Sequence, residues 1–134
     1  MLVILIVPIK SLDALMNIKR NIQPLKEFCN SLKVNEIQAF TFETYNKKYT
    51  LHTRNICPRK GIEDPGCGVG NAALGAYLLK NRYCGQDELK ISAEQGAIVN
   101  MPCFIETHSY RDNDTIKVEV GGIGKTMIKG SLFL

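Results

Sequence analysis

The chain has 134 residues, one domain's worth, with 45% hydrophobic and 22% charged residues, close to the average of a soluble globular domain. These values exclude a chain that is disordered, collagen-like or membrane-spanning as a whole. Net charge is only +4 and Trp is absent. No basic run is longer than Lys19-Arg20, Lys47-Lys48 or Arg59-Lys60, so the clustered basic footprint of a nucleic-acid binder is missing.

Leu2 to Val7 is a short branched-apolar run closed by Pro8, which predicts a buried first strand rather than a leader or a membrane span. Ser11 is placed to cap a short helix over Leu12 to Ile18, with Asp13 in its first turn. A second helix is expected over Pro24 to Leu32, burying Leu25, Phe28 and Leu32. Glu36 to Glu43 and Tyr49 to Ile56 read as paired strands joined by a turn at Tyr45-Asn46-Lys47-Lys48.

Four glycines, Pro65 and two acids crowd the run from Gly61 to Gly70. Asn71 to Leu79 follows, helical in composition and without a polar face, so protein should surround it. Ala72, Ala73, Gly75 and Ala76 allow close backbone approach, and the helix should end near Lys80-Asn81-Arg82. Leu89 to Ala93, Cys103 to Tyr110, Ile116 to Val120 and Lys125 to Phe133 carry strand signals, with turns at Arg111 to Asp114 and Gly121 to Gly124. The predicted fold is a single α+β domain over 1–134: a curved, mostly antiparallel sheet wrapped around one buried central helix.

Five cysteines at 29, 57, 67, 84 and 103 form no C-x-x-C. That pattern predicts reduced thiols in a cytoplasmic protein and no metal site. Gly124-Lys125-Thr126 resembles the tail of a phosphate-binding loop, but Glu119 stands where that pattern requires glycine. Gly68-x-Gly70-x-x-Ala73 fits a relaxed dinucleotide fingerprint. It does not directly follow a strand, and no parallel βαβ alternation is predicted elsewhere.

The glycines before the helix have a simpler use. The first N–H groups of a helix lack partners within it, and the helix dipole adds positive charge there. The amides of Gly68, Val69 and Gly70 therefore form a seat for a carboxylate or phosphate. Asp64 offers an acid–base group beside them. Cys67 offers a thiol at a helix N-terminus, where thiols are activated. A glycine-rich capping turn with an inert cysteine fits the same spacing. His52 and His108 read as ordinary strand residues.

Glu63-Asp64-Pro65-Gly66-Cys67-Gly68-Val69-Gly70-Asn71-Ala72 resembles the Glu-Asp-Pro-Ala-Thr-Gly-Ser-Ala signature of PhzF-like phenazine-biosynthesis proteins. Upstream, Arg54-Asn55-Ile56-Cys57-Pro58 resembles that family's Arg-x-Phe-x-Pro. Downstream, Glu94-Gln95-Gly96 with Met101-Pro102 resembles its Gln-Gly-x-x-Met-Gly-Arg-Pro segment, and Val118 to Gly130 resembles its closing hairpin. The resemblance implies a fold like diaminopimelate epimerase: two lobes, each a sheet around a helix, with the active site between them. It also implies that this chain matches the second, C-terminal lobe alone, without the glutamate acid–base of the first.

Carried over by position, Asp64 falls on the family's active-site aspartate and Gly68 on a glycine whose amide holds the substrate carboxylate. Val69 replaces a substrate-contacting serine. Cys67 replaces threonine, in a Cys-Gly-x-Gly context similar to the catalytic cysteine of diaminopimelate epimerase and proline racemases.

The implied activity is a cofactor-independent isomerisation that moves a proton near the carboxylate of a small metabolite. Asp64 and Cys67 would be catalytic, and Gly68, Val69 and Gly70 would bind substrate. The partner would be a second copy of the chain or a separately encoded first lobe, with neither nucleic acid nor membrane involved. The alternatives are a non-catalytic carboxylate-binding or interaction module left from a split gene, and a chain with structural integrity only.

Overall fold

The computed structural model describes residues 2–57, 63–83 and 87–133. Cys84, the Arg59-Lys60 pair and the start of the glycine-rich run, Gly61-Ile62, lie outside them. In chain order the elements are β1 (Ile4–Pro8), α1 (Leu12–Met16), α2 (Ile22–Ser31), β2 (Glu36–Thr41), β3 (Leu51–Ile56) and α3 (Gly68–Lys80). They continue with β4 (Glu88–Gln95), a 3-10 turn (Ala97–Val99), β5 (Cys103–Asp112) and β6 (Thr115–Gly121).

The six strands form one sheet in sequence order. β2–β3, β4–β5 and β5–β6 pair antiparallel, whereas β1–β2 and β3–β4 pair parallel. The α+β expectation holds, but the expected absence of βαβ alternation does not. Parallel neighbours need a crossover connection. The helices between β1 and β2, and α3 between β3 and β4, are those crossovers.

Helix α3 touches strands from β1 at one edge of the sheet to β6 at the other, which requires the sheet to curl around it. Strand alternation sends Phe40, Leu51, Leu89, Ile91 and Ala93 toward Leu74, Leu78 and Leu79 of that helix. On the other face, Ile37, Ala39 and Ile56 pack under Leu15 of α1 and Cys29 of α2. The curled sheet thus has α3 in its hollow and the two short helices on the back of β1–β3. No helix among the described residues is long and apolar enough to cross a membrane.

Local chemistry explains several boundaries. The Ser11 hydroxyl accepts from the Ala14 amide at 3.2 Å, capping α1 as expected. The β5–β6 hairpin turns through Asn113-Asp114, with Asn113 at φ 55°.

Two further expectations fail. Helix α2 buries Cys29 and tucks Leu25 inward, leaving Phe28 and Leu32 about half exposed. The inward stripe runs i to i+4 through Leu25 and Cys29, and Phe28 and Leu32 fall to the side. Residues 125–133 form no strand: Met127, Ile128, Leu132 and Phe133 project into solvent without a neighbouring strand. Strand propensity alone supplies no pairing partner.

Gly75 shows why α3 is rich in small residues. A Cβ there would lie 2.5 Å from Ser109 Oγ and 2.7 Å from Thr107 Cγ2 of β5. Gly→Ala normally stabilises a helix by up to about 1 kcal/mol. Gly75→Ala is expected instead to destabilise the protein by about 1–3 kcal/mol, read from urea unfolding, because the helix is forced off the sheet.

The back of β4–β6 is open and charged. Glu88 accepts from Lys90 Nζ at 3.3 Å and meets His108 Nε2 at 2.8 Å. Lys90, and secondly His108, hold the Glu88 carboxyl below its ordinary value. A lowered carboxyl stabilises the fold fully above the ordinary glutamate range, and that contribution disappears as pH falls through the folded-state value. NMR titration of Lys90→Ala is expected to return Glu88 toward its ordinary value. The Glu119 carboxylate raises the Tyr110 phenol on the same face.

Candidate functional site

The site is built at the start of α3. Cys67 is the N-cap residue, and its Sγ accepts from the Gly70 amide at 3.3 Å. That sulfur also lies 3.8 Å from Glu36 Oε2, and the Cys67 carbonyl accepts from the Asn71 amide at 3.1 Å. The thiol is thus turned inward, and Cys67 is only 7% exposed. Gly70 is buried, its amide is engaged by that sulfur, and a Cβ there would run into Gln38 Oε1. Its glycine identity is therefore steric, and the amide is occupied rather than presented to a substrate. Gly68 and Val69 carry the amides that the helix itself leaves without an acceptor. Val69 is 57% exposed.

Beneath the helix start lies a buried polar network absent from the sequence expectations. Gln95 Oε1 accepts from Asn71 Nδ2 at 2.8 Å and Thr53 Oγ1 at 3.0 Å, while Gln95 Nε2 donates to the Asp64 carbonyl at 2.8 Å. Asn55 Nδ2 donates to Gln38 Oε1 at 3.1 Å and Glu36 Oε2 at 3.2 Å. Asn55 and Asp64 also form an isolated bridge. Such a network fixes the loop in one place because every broken link leaves a buried polar group unsatisfied. Its signal in the sequence is Gln38, Asn55 and Gln95 at inward strand positions where apolar residues would suffice.

Two further ties hold the loop. Arg54 donates from Nε and Nη2 to the Glu63 carboxylate at 2.9 and 2.8 Å, and from Nη1 to the Leu15 carbonyl at 2.6 Å and the Ile18 carbonyl at 3.2 Å. One buried guanidinium therefore joins β3, the end of α1 and the residue before Asp64. Gly96 adopts φ 84°, and a Cβ there would clash with Met101 O and lie 2.7 Å from Pro65 O, so the 96–102 segment sits directly against the loop.

Asp64, Pro65 and Gly66 line an open cleft of about 480 Å³ with Met101, Pro102 and Cys103. Asp64 Oδ1 accepts from the Gly66 amide at 3.0 Å. The five residues singled out in the sequence thus occupy one corner of the fold, but on two sides of it. Asp64 faces the cleft and Val69 faces solvent, while Cys67 and Gly70 face the interior. No group of three metal-ligating side chains occurs among the described residues.

A model of the phenazine biosynthesis-like protein family, PhzC-PhzF, matches residues 2–130. The chain belongs to this family. It is 29% identical over 130 residues to an uncharacterized isomerase of Clostridium acetobutylicum, covering 94% of the chain and 43% of that protein. An uncharacterized isomerase of Bacillus subtilis is 30% identical over 119 residues, or 87% of the chain and 40% of its own length. The fold matches a Bacillus anthracis phenazine biosynthesis protein of the PhzF family with a TM-score of 0.77 at 24% identity, over 87% of the chain and 41% of that structure. A Clostridium difficile PhzC/PhzF protein superimposes with a TM-score of 0.62 at 22% identity, over 94% of the chain and 44% of that structure. The chain therefore spans under half the length of these PhzC-PhzF relatives.

Proposed function

We propose that the chain is one lobe, the second, of a PhzF-like isomerase, and that it moves a proton on the carbon next to a substrate carboxylate. The observation that carries this reading is the placement of Asp64 on a cleft beside a helix start whose Gly68 and Val69 amides lack intrahelical acceptors. When a base removes the proton, the electron pair left on carbon spreads into the carboxylate. Preorganised amides oppose that charge, each worth about 3 kcal/mol in comparable sites. Return of a proton from an acid completes the isomerisation with no net redox change and no cofactor. Asp64 and Cys67 are the proton carriers this reading assigns to the chain, and general acid–base chemistry requires the thiol, now turned inward, to come within hydrogen-bond reach of the substrate.

The same reading requires a second lobe to close the cleft. The exposed apolar side chains of residues 123–133 and of Val69 support one, since a second lobe would cover them. An isologous homodimer would bring two copies of the 64–70 loop to one interface, and a separately encoded first lobe would close the cleft instead. Light scattering of the purified chain is expected to give twice the 15.0 kDa protomer mass. A strict monomer at micromolar concentration that also fails to bind a first lobe would refute the interface. The compartment this reading proposes is a reducing cytoplasm, where thiols such as Cys57 and Cys103 stay reduced.

A second reading, a carboxylate-binding module without turnover, is favoured by the inward-facing Cys67 thiol. The two part on one experiment. Isomerisation in D₂O exchanges deuterium into the substrate carbon, and a panel of small carboxylic acids scored by proton NMR is expected to reveal an acid that loses its signal next to the carboxylate. Binding to the panel without exchange would leave only the module.

A further inference from the structure

Gln95 is the last residue of β4, and its side chain spans the two ends of the 64–67 loop. At the near end its Nε2 donates to the Asp64 carbonyl at 2.8 Å. At the far end its Oε1 accepts at 2.8 Å from Asn71 Nδ2, which also donates to the Cys67 carbonyl at 2.9 Å. One side-chain amide therefore sets the distance between Asp64 and the first turn of α3. Thr53 Oγ1 of β3 and Gln38 Nε2 of β2 reach the same oxygen at 3.0 and 3.5 Å, so the amide is itself anchored to the sheet. Gln95 is 1% exposed, and a link lost there is not replaced by bulk water.

The neighbours also fix which way the amide points. Its oxygen faces donors and its nitrogen faces a carbonyl, so a flip would set NH₂ against NH₂ and carbonyl against carbonyl. An apolar side chain of the same shape would fill the space, but it could not offer an acceptor on one side and a donor on the other. Arg54 ties the loop to α1 through Glu63. Gln95 ties it to the helix that carries the Gly68 and Val69 amides. We infer that Gln95 is a positioning residue for the isomerisation proposed above, holding Asp64 at a fixed distance from those two amides while touching no reacting atom. Proton removal and charge stabilisation then meet on one substrate, and a misplacement of about 1 Å can lower the rate about 10²-fold. The consequence for turnover rests on the isomerase reading, whereas the hold on the loop rests on the hydrogen bonds alone.

¹⁵N relaxation of the full chain reads that hold without a substrate. In the unaltered chain the Asp64 and Gly66 amides are expected to have order parameters of about 0.85, as rigid as Leu74 and Leu78 of α3. Gln95→Met removes both links, and the Asp64 and Gly66 values are expected to fall below about 0.6 while Leu74 and Leu78 stay rigid. Thr53→Val removes another bond to the same oxygen but leaves both loop links, so it is expected to lower stability without loosening the loop. On an acid that exchanges deuterium with the unaltered chain, Gln95→Met is expected to lower kcat about 10²-fold with KM within about three-fold, because the amides still hold the carboxylate. In an Asp64→Asn background the same substitution is expected to lower kcat no further, since Gln95 acts through Asp64. A loop already mobile in the unaltered chain overturns the assignment even if no variant folds. So does an ordered loop in Gln95→Met, equal loosening in Thr53→Val, or a further loss on top of Asp64→Asn. If no acid exchanges deuterium, the isomerase reading fails and the relaxation result alone decides whether Gln95 holds the loop.

Discussion

Arg54→Met is expected to lower the unfolding free energy by about 3–5 kcal/mol, the range for removing one partner of a buried ion pair. Three losses combine. Glu63, 4% exposed, is left in the interior without the guanidinium that faces both of its oxygens. The Leu15 and Ile18 carbonyls at the end of α1 lose their donor. The chain just before Asp64 loses its anchor to β3. Arg54→Lys is expected to recover only part of the loss, because one ammonium cannot serve a bidentate carboxylate and two carbonyls together. Guanidinium unfolding curves of the three proteins check this. A change below about 1 kcal/mol, the usual worth of an exposed pair, would show that Arg54 does not hold the loop.

The second large effect is chemical. Cys67→Ser is expected to leave stability within about 1 kcal/mol, because serine is a good N-cap and its hydroxyl can accept the Gly70 amide as the sulfur does. On a substrate found in the deuterium screen, the same substitution is expected to lower kcat by about 10²–10⁴-fold, the usual worth of a positioned proton carrier. Asp64→Asn is expected to lose a similar factor. It should keep the turn, since the asparagine carbonyl can accept the Gly66 amide. Full turnover in Cys67→Ser with loss in Asp64→Asn would reduce the cysteine to a cap and leave Asp64 as the proton carrier.

Much of this architecture was legible in the residues, for identifiable reasons. The apolar segment around Leu74 and Leu78 had no polar side, so burial was its only stable outcome, although its helix starts at Gly68, inside the glycine run expected to precede it. Ser11 and the Asn113-Asp114 turn carry their own local hydrogen-bonding and φ preferences, and both lie where those preferences place them. Long-range facts were not legible. The parallel pairing of β1 with β2 depends on how two helices cross the back of the sheet, which no local window contains. Strand-like residues near the C-terminus lacked a partner that the sequence could not reveal. At the site, the spacing anticipated where Asp64, Gly68 and Val69 lie, beside and within the first turn of α3. It did not anticipate the polar links through Gln38, Asn55, Asn71 and Gln95, because their partners are far apart in sequence. Gly70 looked like an anion-binding amide and proved to be a position with no room for a side chain.

The most direct test of the site is an acetate titration of the ¹⁵N-labelled chain, followed amide by amide against chloride at equal ionic strength. The account predicts saturable shifts led by Gly68 and Val69, specific to acetate, with Gly70 moving least because its proton already points at sulfur. Shifts that acetate and chloride produce alike, or that fall elsewhere while Gly68 and Val69 stay still, would contradict it.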